Sequence, residues 1–277
     1  MLLYLLRPFK RLVILLPGLL IAYISVTDIF PYFDRRLPLA VAVLITYIIG
    51  AYVLVPALLR GYRILRPPKH LPLYCVTPDG FASDPLNIGI IGTRRQLIQT
   101  MESSGWYQAD PHRFQFLIKH ALSILSGVTY SNAPVSSLFL FGRRQDIAFQ
   151  IPVDGVTKRH HVRFWATTYE DKRPLSVKNI HWNKRRDKLK GESLLWVGAA
   201  SLDTGLGLIR HNLQVTHMID PDTNQERELI ISTLKSQDLI SKCQSIKLDN
   251  PYRVVNRVWR GHLNTDGKMT VISLKKT

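Results

Sequence analysis

LVILLPGLLIAYISVTDIF, PYFDRR and LPLAVAVLITYIIGAYVLVPALL follow one another from Leu12 to Leu59. The first run, Leu12 to Phe30, carries no charge before Asp28, and the second, Leu37 to Leu59, carries none. About 20 apolar residues cover the roughly 30 Å of bilayer hydrocarbon, so each run is long enough to span it. Pro17 and Pro56 lie inside the runs, where membrane helices tolerate them. The six-residue link makes the helices antiparallel neighbours. The first run is too long for a cleaved signal peptide, and no small-residue cleavage site follows it. Residues 1–65 therefore read as a transmembrane hairpin.

Outside the hairpin the chain is polar and basic. The whole sequence carries 37 Lys and Arg against 20 Asp and Glu. From Gly61 onward the count is 31 against 18. Such a domain attracts anions: lipid headgroups, phosphorylated ligands or nucleic acid. The membrane anchor favours lipid, and the scattered tryptophans lack the basic-aromatic pattern of a single-strand binder. Arg7, Lys10 and Arg11 precede the hairpin, and Arg60, Arg63, Arg66 and Lys69 follow it, whereas the link holds only Arg35 and Arg36. The positive-inside rule then places both termini in the cytoplasm and the second basic cluster at the membrane surface. Cys75 and Cys243 are too few and too far apart for a disulfide scaffold or a zinc ribbon.

Residues 66–85, with several prolines, read as a linker, and 86–277 as the soluble domain. Asn87 to Ile91 reads as a strand. Thr93 to Ser103 reads as a helix capped by Thr93 and ended by Gly105, and Pro111 to Leu125 as a second helix. Period-2 patterning then predicts strands over Ser137 to Phe141 and Asp146 to Ile151, joined through Gly142-Arg143-Arg144-Gln145. Further strands are expected over His160 to Thr168, Leu194 to Ala200 and Gln214 to Ile219. A helix from Asp222 to Lys235 is expected to start on a capping box, Thr223 with Glu226. Arg253 to Leu274 reads as a hairpin turning at Asn264 to Gly267. The expected class is α+β: a mostly antiparallel sheet with a few helices behind the hairpin. Lys172 to Lys190 holds eight basic residues and one acid. It reads as a solvated loop or, with Trp182 as anchor, a membrane-surface contact.

Several pieces in order carry a resemblance. They are Asn87-Ile-Gly-Ile-Ile-Gly92, Gly105-Trp106, Ala133-Pro-Val-Ser136 and Leu138-Phe-Leu-Phe-Gly-Arg-Arg-Gln-Asp-Ile-Ala-Phe149. His160-His-Val-Arg-Phe-Trp165, Leu195-Trp-Val-Gly-Ala-Ala-Ser201 and Thr216-His-Met-Ile-Asp-Pro-Asp222 with Glu226-Arg227 follow. Over about Asp84 to Leu239 the chain resembles the bacterial LssY C-terminal domain, a family without an established activity. The resemblance implies the bacterial inner membrane and a neighbourhood of lipid-phosphate enzymes as partners. Residues Ser176 to Ser193 are an insertion relative to that family, and Met218 stands where it often has a second histidine.

Three constellations are candidates for chemistry. On the strand from His160, alternation puts Val162 and Phe164 on one face and His161, Arg163 and Trp165 on the other. With Arg159, His161 and Arg163 form a cationic row suited to phosphate or carboxylate. His217, Asp220, Asp222 and Glu226 fall close together, as a metal site or simply a helix start. Arg143 in its turn is a third anion-binding candidate. No nucleophile elbow, phosphate-binding loop, zinc-protease or dinucleotide motif occurs, and no metal or cofactor is indicated. The first expectation is a membrane-anchored module for an anionic headgroup or phosphorylated ligand, with Arg143, Arg159 and Arg163 on the anion. The alternative is a phosphoester or lipid hydrolase, with His161 or His217 as base and Asp220 as its orienter. The last expectation is that His161, Arg163, His217 and Asp220 face one cavity.

Overall fold

A computed structural model describes residues 16–65, 71–78, 80–111, 113–153, 158–169, 175–176, 180–182, 191–208, 215–256 and 261–275. It divides into two units, the N-terminal helices and a sheet domain.

Helix α1 runs from Leu16 to Asp34 and α2 from Leu39 to Leu59, continuing to Leu65. Both are long and apolar enough to cross a membrane. Each widens into a π-turn just before a proline. The Phe30 N–H donates to Ser25 O ahead of Pro31, and the Val55 N–H to Gly50 O ahead of Pro56. A proline ring clashes with the carbonyl four residues back and has no N–H to offer it, and a wider turn relieves the clash. The two π-turns are neighbours: a Cβ on Gly50 would lie 3.7 Å from Ser25 Oγ. Leu12 to Leu15 and the basic residues before them lie outside the described residues. So do Arg66, Lys69 and the side chains of Arg60 and Arg63.

The main sheet of the domain has nine strands among the described residues. Its path begins with β12 (Ile240–Lys247), β15 (Lys268–Leu274), β3 (Ile88–Gly92) and β10 (Leu194–Leu208). It ends with β8 (Arg159–Tyr169), β7 (Ile147–Pro152) and β4 (Tyr107–Gln108). β11 (Val215–Ile219) pairs with the far end of β10, and β9 (Ile180–Trp182) with β8. All these pairings are antiparallel except β3 with β15, where Ile88 lies opposite Thr270. A four-stranded sheet runs β2 (Ala82–Pro85), β1 (Tyr74–Val76), β5 (Phe139–Leu140), β6 (Arg143–Arg144). β13 (Tyr252–Asn256) and β14 (Gly261–Thr265) form a separate pair.

Alternation along the strands separates two cores. On one face Ile88, Ile90, Val162, Phe164, Trp196 and Ala200 pack with α3 (Arg94–Ser103) and α5 (Thr223–Ser236), through Leu97, Met101, Ile230 and Leu234. On the other, Trp165, Leu195, Val197, Ala199, Met269 and Val271 meet Cys75, Leu86, Leu138 and Leu140 from the four-stranded sheet and its flanks. Gly198 is required by this packing. A Cβ there would meet Phe164 Cε1 at 2.6 Å and Ile88 Cγ2 at 2.7 Å, both in the first core. Helix α3 starts as its sequence dictates: Thr93 accepts from the Gln96 N–H while Gln96 accepts from the Thr93 N–H. It ends at Gly105, with φ of 84°. Helix α4 (Phe114–Ser126) follows β4.

Four expectations change. Tyr74–Val76 and Ala82–Pro85 are not linker but strands β1 and β2, which cover the second face of the main sheet. The strand after Ser136 pairs with β1 and with β6 rather than with β7. Its hairpin turns tightly at Phe141 and Gly142, both at positive φ, the backbone a two-residue hairpin needs. The C-terminal hairpin is not one unit either. β13 pairs with β14, and Asp266-Gly267 then leads into β15, which joins the main sheet. Finally, Glu226 does not close a capping box. Asp222 caps α5 by accepting from the Asn224 N–H, and Glu226 turns to His160 Nδ1 at 2.9 Å.

Candidate functional site

The cationic row of β8 does not face solvent. It is covered by β2, and Ser201 and Asp203 of β10 lie on the same face. His161 is 1% exposed, Arg163 4% and Arg159 5%, with Asp84 and Ser201 fully buried and Asp203 3%. Burying charges is costly unless they pair, and here they do. Arg163 Nη1 donates to Asp84 Oδ2 at 2.8 Å, and its Nη2 to Ser136 Oγ at 3.0 Å. Arg159 Nη1 donates to Gln150 Oε1 at 2.9 Å, and Nε lies 3.7 Å from Asp203 Oδ2. His161 sits between the two acids. Its Nε2 is 2.9 Å from Ser201 Oγ and 3.4 Å from Asp84 Oδ2, and its Nδ1 is 3.2 Å from Asp203 Oδ1. Ser201 Oγ donates to Asp84 Oδ2 at 2.9 Å.

Serine, histidine and aspartate thus stand in the order of a hydrolytic triad, but Ser201 also has a second partner in Asp84. Burial works against the Asp84 charge, yet Arg163, His161 and Ser201 outweigh it and hold its carboxyl well below the usual range. Burial and Arg163 push His161 down, but Asp203 and Asp84 outweigh them and raise it above its ordinary value. A histidine held toward its charged form is a poorer base for Ser201, whose Oγ already donates to Asp84. The cluster works as an internal ion network that fixes β2 to the sheet.

The network makes a pH prediction. A raised histidine contributes its full stability below its unfolded pKa of about 6.5 and loses it as pH rises through the folded value. Asp84 does the reverse: its contribution is present above about pH 4 and is lost as pH falls. The Tm gap between the wild-type chain and His161→Gln, measured in detergent, is expected to narrow from pH 6 to pH 9. A constant gap would show that His161 is neutral when folded.

The other sequence candidates do not join this cluster. The carboxylates at His161 are Asp84 and Asp203, not Asp220. Asp220 accepts from the Asp222 N–H at 2.8 Å and so shapes the turn into α5. His217 lies opposite Leu206 on β10, whereas His161 lies opposite Ser201. Five residues at about 3.3 Å each separate those levels, so the two histidines enter the sheet roughly 16 Å apart along β10. The two histidines therefore enter the sheet at different levels of β10, and the side chain of His217 is outside the described residues. Arg143 is no anion site. It donates to Ala166 O and pairs with Asp146 at 3.0 Å, and its own carbonyl accepts from Trp165 Nε1. Of the basic insertion, most residues and the Trp182 side chain lie outside the described set. Its centre is strand β9 rather than loop, with Ile180 buried against β8.

The free cations are elsewhere. A cleft of about 220 Å³ opens between Arg94 at the start of α3, the segment 108–111, Val135, and residues 144–148. Its two acids are occupied. Asp110 accepts from the Tyr130 hydroxyl, and Asp146 from Arg143 and from the Ala166 N–H. Arg94 and Arg144 are exposed, and no carboxylate of the described residues pairs with either. Two guanidinium groups at one cleft suit a phosphate or another multivalent anion. Extending the alternation of β10 past Ala199 would have reached Ser201 and Asp203. Nothing local marks Asp84, and only folding brings Arg94 beside Arg144.

A family model described as LssY C-terminus matches residues 68–269. No curated protein matches, and no solved structure does.

Proposed function

The chain belongs to the LssY C-terminus family, and on that premise we propose that it is a membrane-anchored module for a phosphorylated anionic headgroup. The observation that carries this is the cleft lined by exposed Arg94 and Arg144, neither paired with a carboxylate of the described residues. The two apolar helices support the membrane setting, and the flanking Lys and Arg support cytoplasmic termini at a bacterial inner membrane. The anion is held by Arg94 and Arg144, because Arg143, Arg159 and Arg163 are committed to carboxylates and carbonyls of the domain itself. A lipid-phosphate enzyme is the partner class this role suits.

The test is calorimetric titration of the full chain in detergent with short-chain phosphatidic acid. A charge-assisted hydrogen bond is worth about 1.5–3 kcal/mol, so Arg144→Glu and Arg94→Glu are each expected to weaken binding tenfold or more. Lys242→Glu, an exposed change on β12, is the control for net charge. Equal weakening by all three, or none by the cleft variants, would remove the cleft as the site.

A second reading, hydrolysis with His161 as base, draws on the 2.9 Å contact between Ser201 Oγ and His161 Nε2. It requires the network to open and His161 to lose its proton. Turnover of a phosphate monoester that vanishes in Ser201→Ala but survives Arg144→Glu would establish it over headgroup binding.

A further inference from the structure

Helix α4 leaves an apolar stripe uncovered. Ile118, Leu122 and Leu125 follow at four and three residues, on one line of the helix surface. They are 44%, 58% and 84% exposed, and Val128 just beyond the helix is 63% exposed. Ser123, on the opposite side, is buried against the domain. Single exposed leucines are ordinary, but a continuous stripe of them marks a contact surface.

The surroundings say what covers it. From Pro111 to Tyr130 there is no acidic residue. Arg113, just before the helix, and Lys119, about a quarter turn from the stripe, are both exposed, and Lys119 Nζ sits 4.2 Å over the Tyr130 ring. A second copy seated on the same stripe would bring these cations together, and the acid that flanks the segment, Asp110, is already held by the Tyr130 hydroxyl. An anionic bilayer offers the opposite charge and an apolar interior. Such a surface is also within reach. β1 begins at Tyr74, nine residues after α2 ends at Leu65, and a chain of that length spans at most roughly 30 Å.

We propose that α4 lies in the headgroup boundary of an anionic membrane, with Ile118, Leu122 and Leu125 inserted and Arg113 and Lys119 at the phosphates. The proposal rests on the membrane tether and not on the ligand of the cleft. It deepens that reading all the same: Asp110 and Pro111, which line the cleft, lead directly into α4.

The experiment uses the full chain in liposomes of phosphatidylglycerol, in a Cys243→Ser background. Cys75 stays unlabelled, since burial pushes its thiol well up and leaves it out of solvent. An environment-sensitive nitrobenzoxadiazole dye is attached in turn to Leu122→Cys, Leu125→Cys and, on the exposed side of α5, Ser232→Cys. Blue-shifted emission and quenching by spin-labelled lipid are expected at the two α4 positions and not at Ser232→Cys. Replacing phosphatidylglycerol by phosphatidylcholine is expected to reduce the quenching at least twofold. Quenching on α4 no stronger than on α5 would overturn the proposal, as would a disulfide-linked dimer of unlabelled Leu122→Cys together with an unquenched dye on Leu125→Cys. Because binding of short-chain phosphatidic acid is read in detergent without a bilayer, either result can fail alone.

Discussion

Asp84→Asn is expected to destabilise the sheet domain by about 3–5 kcal/mol, the range for removing one partner of a buried ion pair. Asp84 is fully buried and is the carboxylate shared by Arg163, His161 and Ser201. An amide keeps the shape but removes the charge and presents N–H groups where three donors now point. Arg163 would keep Ser136 and at most an amide oxygen, with no carboxylate among the described residues to balance its charge. The measurement is unfolding of the full chain by denaturant in detergent. The double variant Asp84→Leu with Arg163→Met should lose much less than the two single changes together, since no charge is then stranded. A single variant as stable as the wild type would mean that Asp84 is not charged in the fold.

Trp165→Ala is expected to cost about 3–5 kcal/mol, as truncating a fully buried aromatic does. The side chain fills the second core, and its Nε1 donates to Arg143 O at 3.0 Å. That bond holds the hairpin carrying Arg144. The variant is therefore expected to weaken short-chain phosphatidic acid binding in calorimetry as well, even below its unfolding temperature. Loss of stability with unchanged binding would show that the hairpin keeps Arg144 in place without the indole.

Local chemistry was readable where one short segment contains the whole reason for its structure. Thr93 with Gln96 and then Gly105 announce α3, and Asp222 announces α5. The long apolar runs announce the two helices of spanning length. The face shared by His161 and Arg163 followed from a period of two. Their burial did not, because it depends on Asp84, distant in sequence and set among prolines that resemble a linker. β12 was invisible for a related reason: its edge position leaves Ser241, Lys242 and Cys243 exposed, so only Ile246 carries a core signal. The fate of the arginines was equally hidden. Arg143 and Arg144 are adjacent in the sequence, yet one is folded into an internal bridge and the other is left at the cleft. The sheet makes that choice, and the two residues alone do not.

The place of β15 in the sheet has a consequence for biogenesis. It is the latest made of the described strands, yet it lies inside, between β3 and β12. Until Lys268 to Leu274 have been synthesised, β3 offers an open parallel edge, and Gly89 and Leu195 lack the Val271 side chain that packs on them. Pairings this distant form slowly, and exposed edges invite wrong partners. A nascent chain would wait in that state with its two apolar helices, each long enough to cross a bilayer, already made.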